Sequence, residues 1–276
     1  MSNSLPNAGV ARDAIEVVSR IRNGGRALVS MSGGVDSSLV AALAFEALAG
    51  EAVAVTLTGP SVSHGEIERS CAVAAAIGIE HVLTPADPLA RAAYRENGTD
   101  RCYHCRSVET TALRDFGRAR AVRQYLDGVQ RDDLADDRPG LRAMDEAGFL
   151  HPLLWIGWGK AEVRSEACRR GLPNWDQPSD ACLASRVAHG DAITPDLLAR
   201  IEAAESAVLA RGFRRVRVRV RGGAARVEVD PNEVARLLEE PMSREVLRAV
   251  ERAGFSSASI DPLGYHGRLE RLPTVP

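Results

Sequence analysis

Apolar positions along the first two-thirds of the chain switch repeatedly between helical and strand spacing. Residues 11–23 (ARDAIEVVSRIRN) have helical apolar spacing and stop at Gly24 and Gly25, which predicts a helix. ALVSMS (27–32) is a short apolar strand, SSLVAALAFEALAG (37–50) a helix closed by Gly50, and AVAVTLT (52–58) a second strand. GEIERSCAVAAAIG (65–78) predicts a helix and IEHVLTP (79–85) a strand. AVRQYLDG (121–128) predicts the next strand, running into the acidic loop QRDDLADDRPG. A helix over KAEVRSEACRRG (160–171) then precedes a long irregular segment, LPNWDQPSDACLASRVAHGD. Strands alternating with helices imply right-handed crossovers, so the expected fold class is α/β with a doubly wound parallel sheet.

Near residue 192 the pattern changes. Pro195 starts a helix through residue 210, and FRRVRVRVR (213–221) then alternates valine with arginine. A Gly-Gly turn leads to AARVEVD, and Pro231 opens a helix behind an Asp230 cap. A helix over 243–253 and a short strand, SSASID, complete a smaller α/β unit. The expected domains are 1–190 and 191–276.

The 276 residues are 45% hydrophobic, enough for a sizeable core, with 35 basic and 37 acidic side chains and a net charge of −2. That balance argues against nucleic acid as a partner held by a basic surface. No run of 18 apolar residues occurs and the N-terminus lacks the apolar core of an export signal, so no membrane association is expected and the chain reads as cytoplasmic. Five cysteines, an odd number, favour thiols, thiolate ligands or reactive sulfur over structural disulfides. Lys160 is the one lysine among the 35 basic residues. A compact ammonium and a planar guanidinium bind phosphate differently, so this lysine is either a helix-start residue or a phosphate contact.

SGGVDSS (Ser32–Ser38) lies between a strand and a helix, where open α/β sheets take ligands. Gly33 and Gly34 let the backbone approach an anion, and Ser32, Ser37 and Ser38 can donate to phosphate oxygens. Asp36 would repel phosphate unless it binds magnesium or caps an amide. A GxxxxGKS/T loop and a strand-linked GxGxxG are both missing from the sequence, so the kinase-type and dinucleotide readings lose their main support. The bare SGG is equally a Gly-Ser turn with a helix cap. The whole motif resembles the signature of the PP-loop ATP pyrophosphatases (adenine nucleotide alpha hydrolase-like), which adenylate a substrate and release pyrophosphate.

Cys102 and Cys105 form a CxxC in DRCYHCR (100–106), and Cys182 lies in PSDACLASR (178–186). Three thiolates can hold a metal or cluster with one position open; a lone CxxC is equally a zinc pair, a redox pair or two buried thiols. With DGVQRDDLADDRPGLRA (127–143), HPLLWIGWGKAEVR (151–164), LPNWDQPSDACLASR (172–186) and VRVR…ARVEV (216–229), these blocks resemble, in order, the LarE-type sulfur transferases. That family makes the organic part of the nickel-pincer cofactor. It activates two carboxylates of a pyridinium biscarboxylate mononucleotide with ATP and converts them to thiocarboxylates.

The resemblance implies that Ser32, Gly33, Gly34, Asp36, Ser37 and Ser38 hold ATP and Mg2+, and that Asp36, Lys160 and Cys182 serve the chemistry. It implies that Cys102, Cys105 and Cys182 bind a 4Fe-4S cluster whose unligated iron carries a hydrosulfide as sulfur donor. Members with only the cysteine of ACLASR surrender that residue's own sulfur instead. It also places Arg217 and Arg219, with Glu228 nearby, at the substrate's phosphate and carboxylates; otherwise the arginine row is a solvated strand face. Arg186 is a similar candidate and can lower the thiolate pKa of Cys182. Asp127, at a strand's carboxyl end, is a magnesium or ribose candidate. Sulfide or a sulfur-relay donor and a homo-oligomer, a hexamer built through the C-terminal unit, are the implied partners.

Cys71 and Cys168, among apolar residues on helices, read as small core residues, and none of the six histidines has an evident partner, though His189 follows ACLASR closely. The family's DGTN reads here Asp127-Gly128-Val129-Gln130, its usual DYRPG tyrosine is Asp137, and His266 stands where an arginine is expected. These departures bear on the substrate more than on adenylation. The rivals are a tRNA-thiolating PP-loop enzyme, an amidating synthetase of the NAD-synthetase kind, and an adenine-nucleotide-binding module without turnover. No glutaminase domain is evident for the second, and the third has no need of the thiols.

Overall fold

The computed structural model describes residues 8–135, 139–178 and 180–265. Asp137 and His266 lie outside them. The chain divides into two compact units, Met1–Ala90 with Asp100–Asp180, and Arg91–Thr99 with Ala181–Pro276.

The first unit begins with α1 (Ala8–Gly24), β1 (Ala27–Ser30), α2 (Val35–Leu48), β2 (Ala52–Thr58), α3 (His64–Ile77) and β3 (Glu80–Pro85). After α4 (Ala92–Arg95), which belongs to the second unit, it continues with α5 (Arg101–Ala119), β4 (Gln124–Leu126), α6 (Pro139–Glu146), β5 (Phe149–Leu150) and α7 (Lys160–Arg169). The five strands are parallel in the order β3-β2-β1-β4-β5. The order reverses between β1 and β4, so a crevice opens at their carboxyl ends.

Side chains alternate across the sheet, and each face has its own core. On one, Val29 joins Val17, Ile21, Leu39, Leu43 and Val163 from α1, α2 and α7; on the other, Leu28 joins Val53, Val55, Leu113, Met144 and Phe149. Helix α2 is apolar nearly all round and ten of its fourteen residues are buried, as befits a helix enclosed by the fold. Helix α3 is bounded by Ser63, whose side chain accepts from the Glu66 amide, and by Gly78 in the left-handed region.

Helix α5 has no counterpart in the sequence pattern. Its buried face is made of Arg101, Thr110, Leu113 and Gly117, too polar a stripe to register as apolar periodicity. Gly117 is required because a Cβ there would lie 2.4 Å from the Tyr125 hydroxyl. The predicted strand over 121–128 contracts to β4, since Ala121 has a positive φ (54°) and still belongs to the turn out of α5.

The second unit adds α8 (Pro195–Leu209), β6 (Val216–Arg221), β7 (Ala224–Val229), α9 (Val234–Leu238), α10 (Met242–Arg252) and β8 (Ser257–Ile260). Its sheet runs β6-β7-β8, antiparallel then parallel. Asp230 does not cap by its side chain; a short 3-10 turn, Pro231–Glu233, precedes α9, and the Asp230 carboxylate lies 3.6 Å from Arg215 Nη1. The change of unit after Asp180 differs from the expected boundary near 190, and residues 91–99 join from far upstream. Buried Asn97 explains this: its side-chain amide donates to the carbonyls of Ala188 (2.8 Å) and Asp191 (2.9 Å). Among the described residues no helix is long and apolar enough to cross a membrane.

Candidate functional site

The loop between β1 and α2 is held from three sides. Gly33 has φ +74°, and a Cβ there would stand 2.9 Å from the Ser70 amide of α3, so only glycine permits this approach. The Ser32 amide donates to Ser37 Oγ (3.1 Å), which donates to the Gly34 carbonyl (3.2 Å). From the other side Asn174 Nδ2 donates to the Gly33 carbonyl (2.8 Å) and to Ser38 Oγ (2.9 Å). Gly34 is the N-cap of α2 without a side-chain cap, and the first-turn amides of a helix have no intrahelical acceptor. The loop is therefore a rigid cradle with donors at the mouth of the crevice, suited to a phosphate chain.

Asp36, on the first turn of α2, accepts from the Lys160 ammonium through Oδ2, while its Oδ1 is buried with no partner. Burial pushes its carboxyl above the usual carboxylate range, and the Lys160 charge and hydrogen bond offset part of that. Lys160 opens α7, its amide bonded to Asp132 Oδ2 (2.9 Å), so the single lysine stands beside the loop. Asp127 follows β4 and is buried. Its Oδ1 accepts from the Val129 amide (3.0 Å) and pairs with His151 Nδ1 (2.8 Å); its Oδ2 has no partner. Gly128 fits the next residue against α2, since a Cβ there would lie 2.5 Å from the Ser37 amide.

Asp36 and Asp127 thus each present a buried, unpartnered carboxylate oxygen, the donor chemistry that magnesium prefers. No three His, Cys, Asp or Glu side chains among the described residues form a metal-holding group. Two carboxylates suffice for Mg2+, which completes its shell with water and nucleotide phosphate.

Three further residues here carry no sequence signal of their own. Asn174 is marked only by its place in LPNWDQPSD. Glu66, on the first turn of α3, has a carboxyl raised to about 7 by burial and by the Asp180 charge, with Arg69 and Arg106 opposing. His151 corrects the expectation that no histidine has a partner: it lies between Asp127 and Asp145 Oδ1 (2.8 Å). Elsewhere His81 bonds Thr56 (2.8 Å), His104 bonds Asp100 (3.0 Å), and His189 bonds the Asn97 carbonyl (3.2 Å).

All five cysteines are thiols. Cys102 and Cys105 lie one helical turn apart at the start of α5; Cys102 is exposed, and half-buried Cys105 donates to Glu109 Oε1 (3.3 Å). Cys71 and Cys168 are exposed, which overturns their reading as core residues. On α3 the buried positions are Ser70, Val73 and Ala74, and on α7 Val163, Glu166 and Ala167, so both thiols face away from the core.

In the second unit, half-buried Cys182 precedes the turn Leu183–Arg186. Arg186 is 2% exposed; Nε and Nη2 bond the Glu205 carboxylate (2.8 and 3.0 Å), and Nη1 bonds the carbonyls of Ala181 and Cys182. It is a clamp on the Cys182 loop. Arg217 and Arg219 are buried, not a solvated strand face, because β6 is covered on both sides. Arg219 bonds Glu228 (3.1 Å) and the Ser185 carbonyl (2.9 Å), Arg217 bonds the Val216 carbonyl (2.8 Å), and both guanidinium groups lie within 6 Å of the Tyr265 ring centre.

Comparison with known proteins fits this geometry. The NAD synthase family model matches residues 13–134, which include the loop, Asp36 and Asp127. An uncharacterized protein of Synechocystis sp. is 38% identical over 250 residues, 90% of this chain and 93% of the relative. The pyridinium-3,5-bisthiocarboxylic acid mononucleotide synthase of Lactiplantibacillus plantarum is 29% identical over 264 residues, 95% of each chain. The chain belongs to the LarE family. An uncharacterized Methanocaldococcus jannaschii protein is 24% identical over 85% of this chain and 88% of its own length. The LarE family's PP-loop is therefore the cradle at β1, and the expected α/β fold with a doubly wound parallel sheet is the one observed.

Proposed function

We propose that this chain is an ATP-dependent, AMP- and pyrophosphate-forming sulfur transferase acting on pyridinium-3,5-biscarboxylic acid mononucleotide, in biosynthesis of the nickel-pincer cofactor. The observation that carries this is the end-to-end similarity to the L. plantarum synthase together with a nucleotide cradle built around Asp36 and Lys160. A carboxylate is a poor acylating agent, so activation must precede sulfur transfer. A substrate carboxylate oxygen attacks the α-phosphorus of ATP, pyrophosphate leaves, and an acyl-adenylate forms. A sulfur nucleophile then adds to the acyl carbon and AMP departs, leaving a thiocarboxylate.

Within that scheme Ser32, Gly33, Gly34, Ser37 and Ser38 hold the phosphates. Asp36 and Asp127 would hold the magnesium ion, which supplies charge neutralisation of the triphosphate. Lys160, hydrogen-bonded to Asp36 beside the loop, would contact the nucleotide phosphates through its ammonium group. Arg217, Arg219 and Glu228 are the substrate's proposed contacts, and Arg186 acts through the Cys182 loop. Cys102, Cys105 and Cys182 would hold a 4Fe-4S cluster, which would supply the sulfur; the resemblance of their two sequence blocks to the family supports this. The alternative is Cys182 as a single-use donor. A homo-oligomer is proposed on family resemblance.

The test has two parts. Pyrophosphate and AMP should form in equal amounts only when the mononucleotide is present; release without it would favour a nucleotide-binding module with adventitious hydrolysis. Iron, acid-labile sulfide and zinc per chain, on protein purified without oxygen, separate the sulfur sources. Iron and sulfide lost in both Cys102→Ala and Cys182→Ala support the cluster. Metal-free protein that loses a sulfur atom from Cys182 on turnover contradicts it.

A further inference from the structure

His151 stands to β5 as Asp127 stands to β4. The register pairs Tyr125 with Phe149 and Leu126 with Leu150, so one step beyond the two parallel strands Asp127 and His151 are neighbours at the sheet's carboxyl edge. The Asp127 amide donates to the Leu150 carbonyl (3.2 Å), extending the ladder to that step. The imidazole then reaches Asp127 Oδ1 through Nδ1 and Asp145 Oδ1 through Nε2, both at 2.8 Å. Each ring nitrogen thus faces a carboxylate oxygen, and Nδ1–H donates to Asp127 Oδ1.

The consequence falls on Asp127. Its Oδ1 takes two donors, the Val129 amide and His151, which fix the carboxylate plane, while Oδ2 stays buried and unpartnered. We propose that His151, backed by Asp145, is a positioning residue that fixes the Asp127 carboxylate for the magnesium ion of bound ATP. This deepens the ATP-using reading above and rests on it. Groups of this kind orient a ligating carboxylate and raise metal affinity without touching the metal. Asp145 is more than half exposed, which makes it the weaker partner.

Calorimetric titration of the full chain with ATP, once with Mg2+ and once with EDTA, tests this. His151→Ala should weaken ATP binding about 10- to 100-fold in magnesium and leave metal-free binding unchanged. His151→Asn, whose amide N–H occupies the place of Nδ1–H, should recover most of the loss, and Asp145→Asn should show a smaller loss of the same kind. His151→Ala binding ATP as the wild type does in magnesium would overturn the proposal. So would an equal loss with and without metal, which is what a merely structural role produces. If His151→Ala does not fold, Asp145→Asn carries the test: a loss confined to magnesium supports the proposal and no loss contradicts it. A wild type that binds no nucleotide under either condition would overturn the ATP reading itself, and this inference with it.

Discussion

The two units differ in how their buried acceptor oxygens are satisfied. In the first, Asp36 Oδ1, Asp127 Oδ2 and Asn174 Oδ1 are all buried with no partner, so the crevice side holds acceptors that a cation, water or nucleotide must satisfy. In the second, the charges answer one another: Arg186 with Glu205, and Arg219 and Arg226 with Glu228. A site with open acceptors binds by filling vacant valences. A site of paired charges binds an anion only by exchanging a carboxylate partner for it, which favours a substrate bringing several negative groups at once. That contrast is in keeping with our proposal that the first unit takes the nucleotide and the second the anionic substrate.

The contrast can be broken at its largest effect first. Cys182→Ala should abolish thiocarboxylate formation while substrate-dependent pyrophosphate release continues; parallel loss of both would place Cys182 in the adenylation step. Arg186→Leu leaves the Glu205 carboxylate buried without its cation, and should destabilise the fold by about 3–5 kcal/mol in denaturant unfolding. An unchanged midpoint would mean that Arg186 is held for substrate rather than for the Cys182 loop. Gly128→Ala drives a Cβ into the first turn of α2 and should cost about 1–3 kcal/mol together with weaker ATP binding. The smallest effect is a pH dependence. His151 has its folded pKa raised from 6.5 to about 9, so the stability it contributes is fully present below about 6.5 and is lost as pH rises through 9. Screening at exposed Asp145 reduces this to about 1–2 kcal/mol. Unfolding of wild type and His151→Gln between pH 6 and 10 checks it: only the wild type should lose stability across that window.

The first unit's architecture was legible because its strands and helices carry strong, uniform apolar patterns. The spacing predicts β2 to the residue and α2 and α3 within two. The loop was legible as chemistry, since glycines and hydroxyls between a strand and a helix have few other uses. What the sequence hid was reached through space. Asn174 secures the loop from more than a hundred residues away, and His151 meets Asp127 only because β5, two residues long, pairs beside β4. Helix α5 escapes the apolar spacing because its buried face holds arginine, threonine and glycine beside Leu113. The arginine row misleads by composition: alternation predicts one wet face, but β6 is enclosed as far as Val220, with Arg217 and Arg219 packed over Tyr265 and Arg219 paired with Glu228, while Arg221 is exposed. Cys71 and Cys168 mislead because neither helix shows a clear apolar stripe: α3 is alanine-rich and half of α7 is charged.

The central claim is sulfur-for-oxygen exchange on an ATP-activated carboxylate. The most direct measurement is the mass spectrum of the mononucleotide after anaerobic incubation with protein, ATP, Mg2+ and a sulfide source. The account predicts a product in which sulfur has replaced a carboxylate oxygen, formed together with AMP and absent when ATP is omitted. A mononucleotide returned unchanged while ATP is converted to AMP would contradict it.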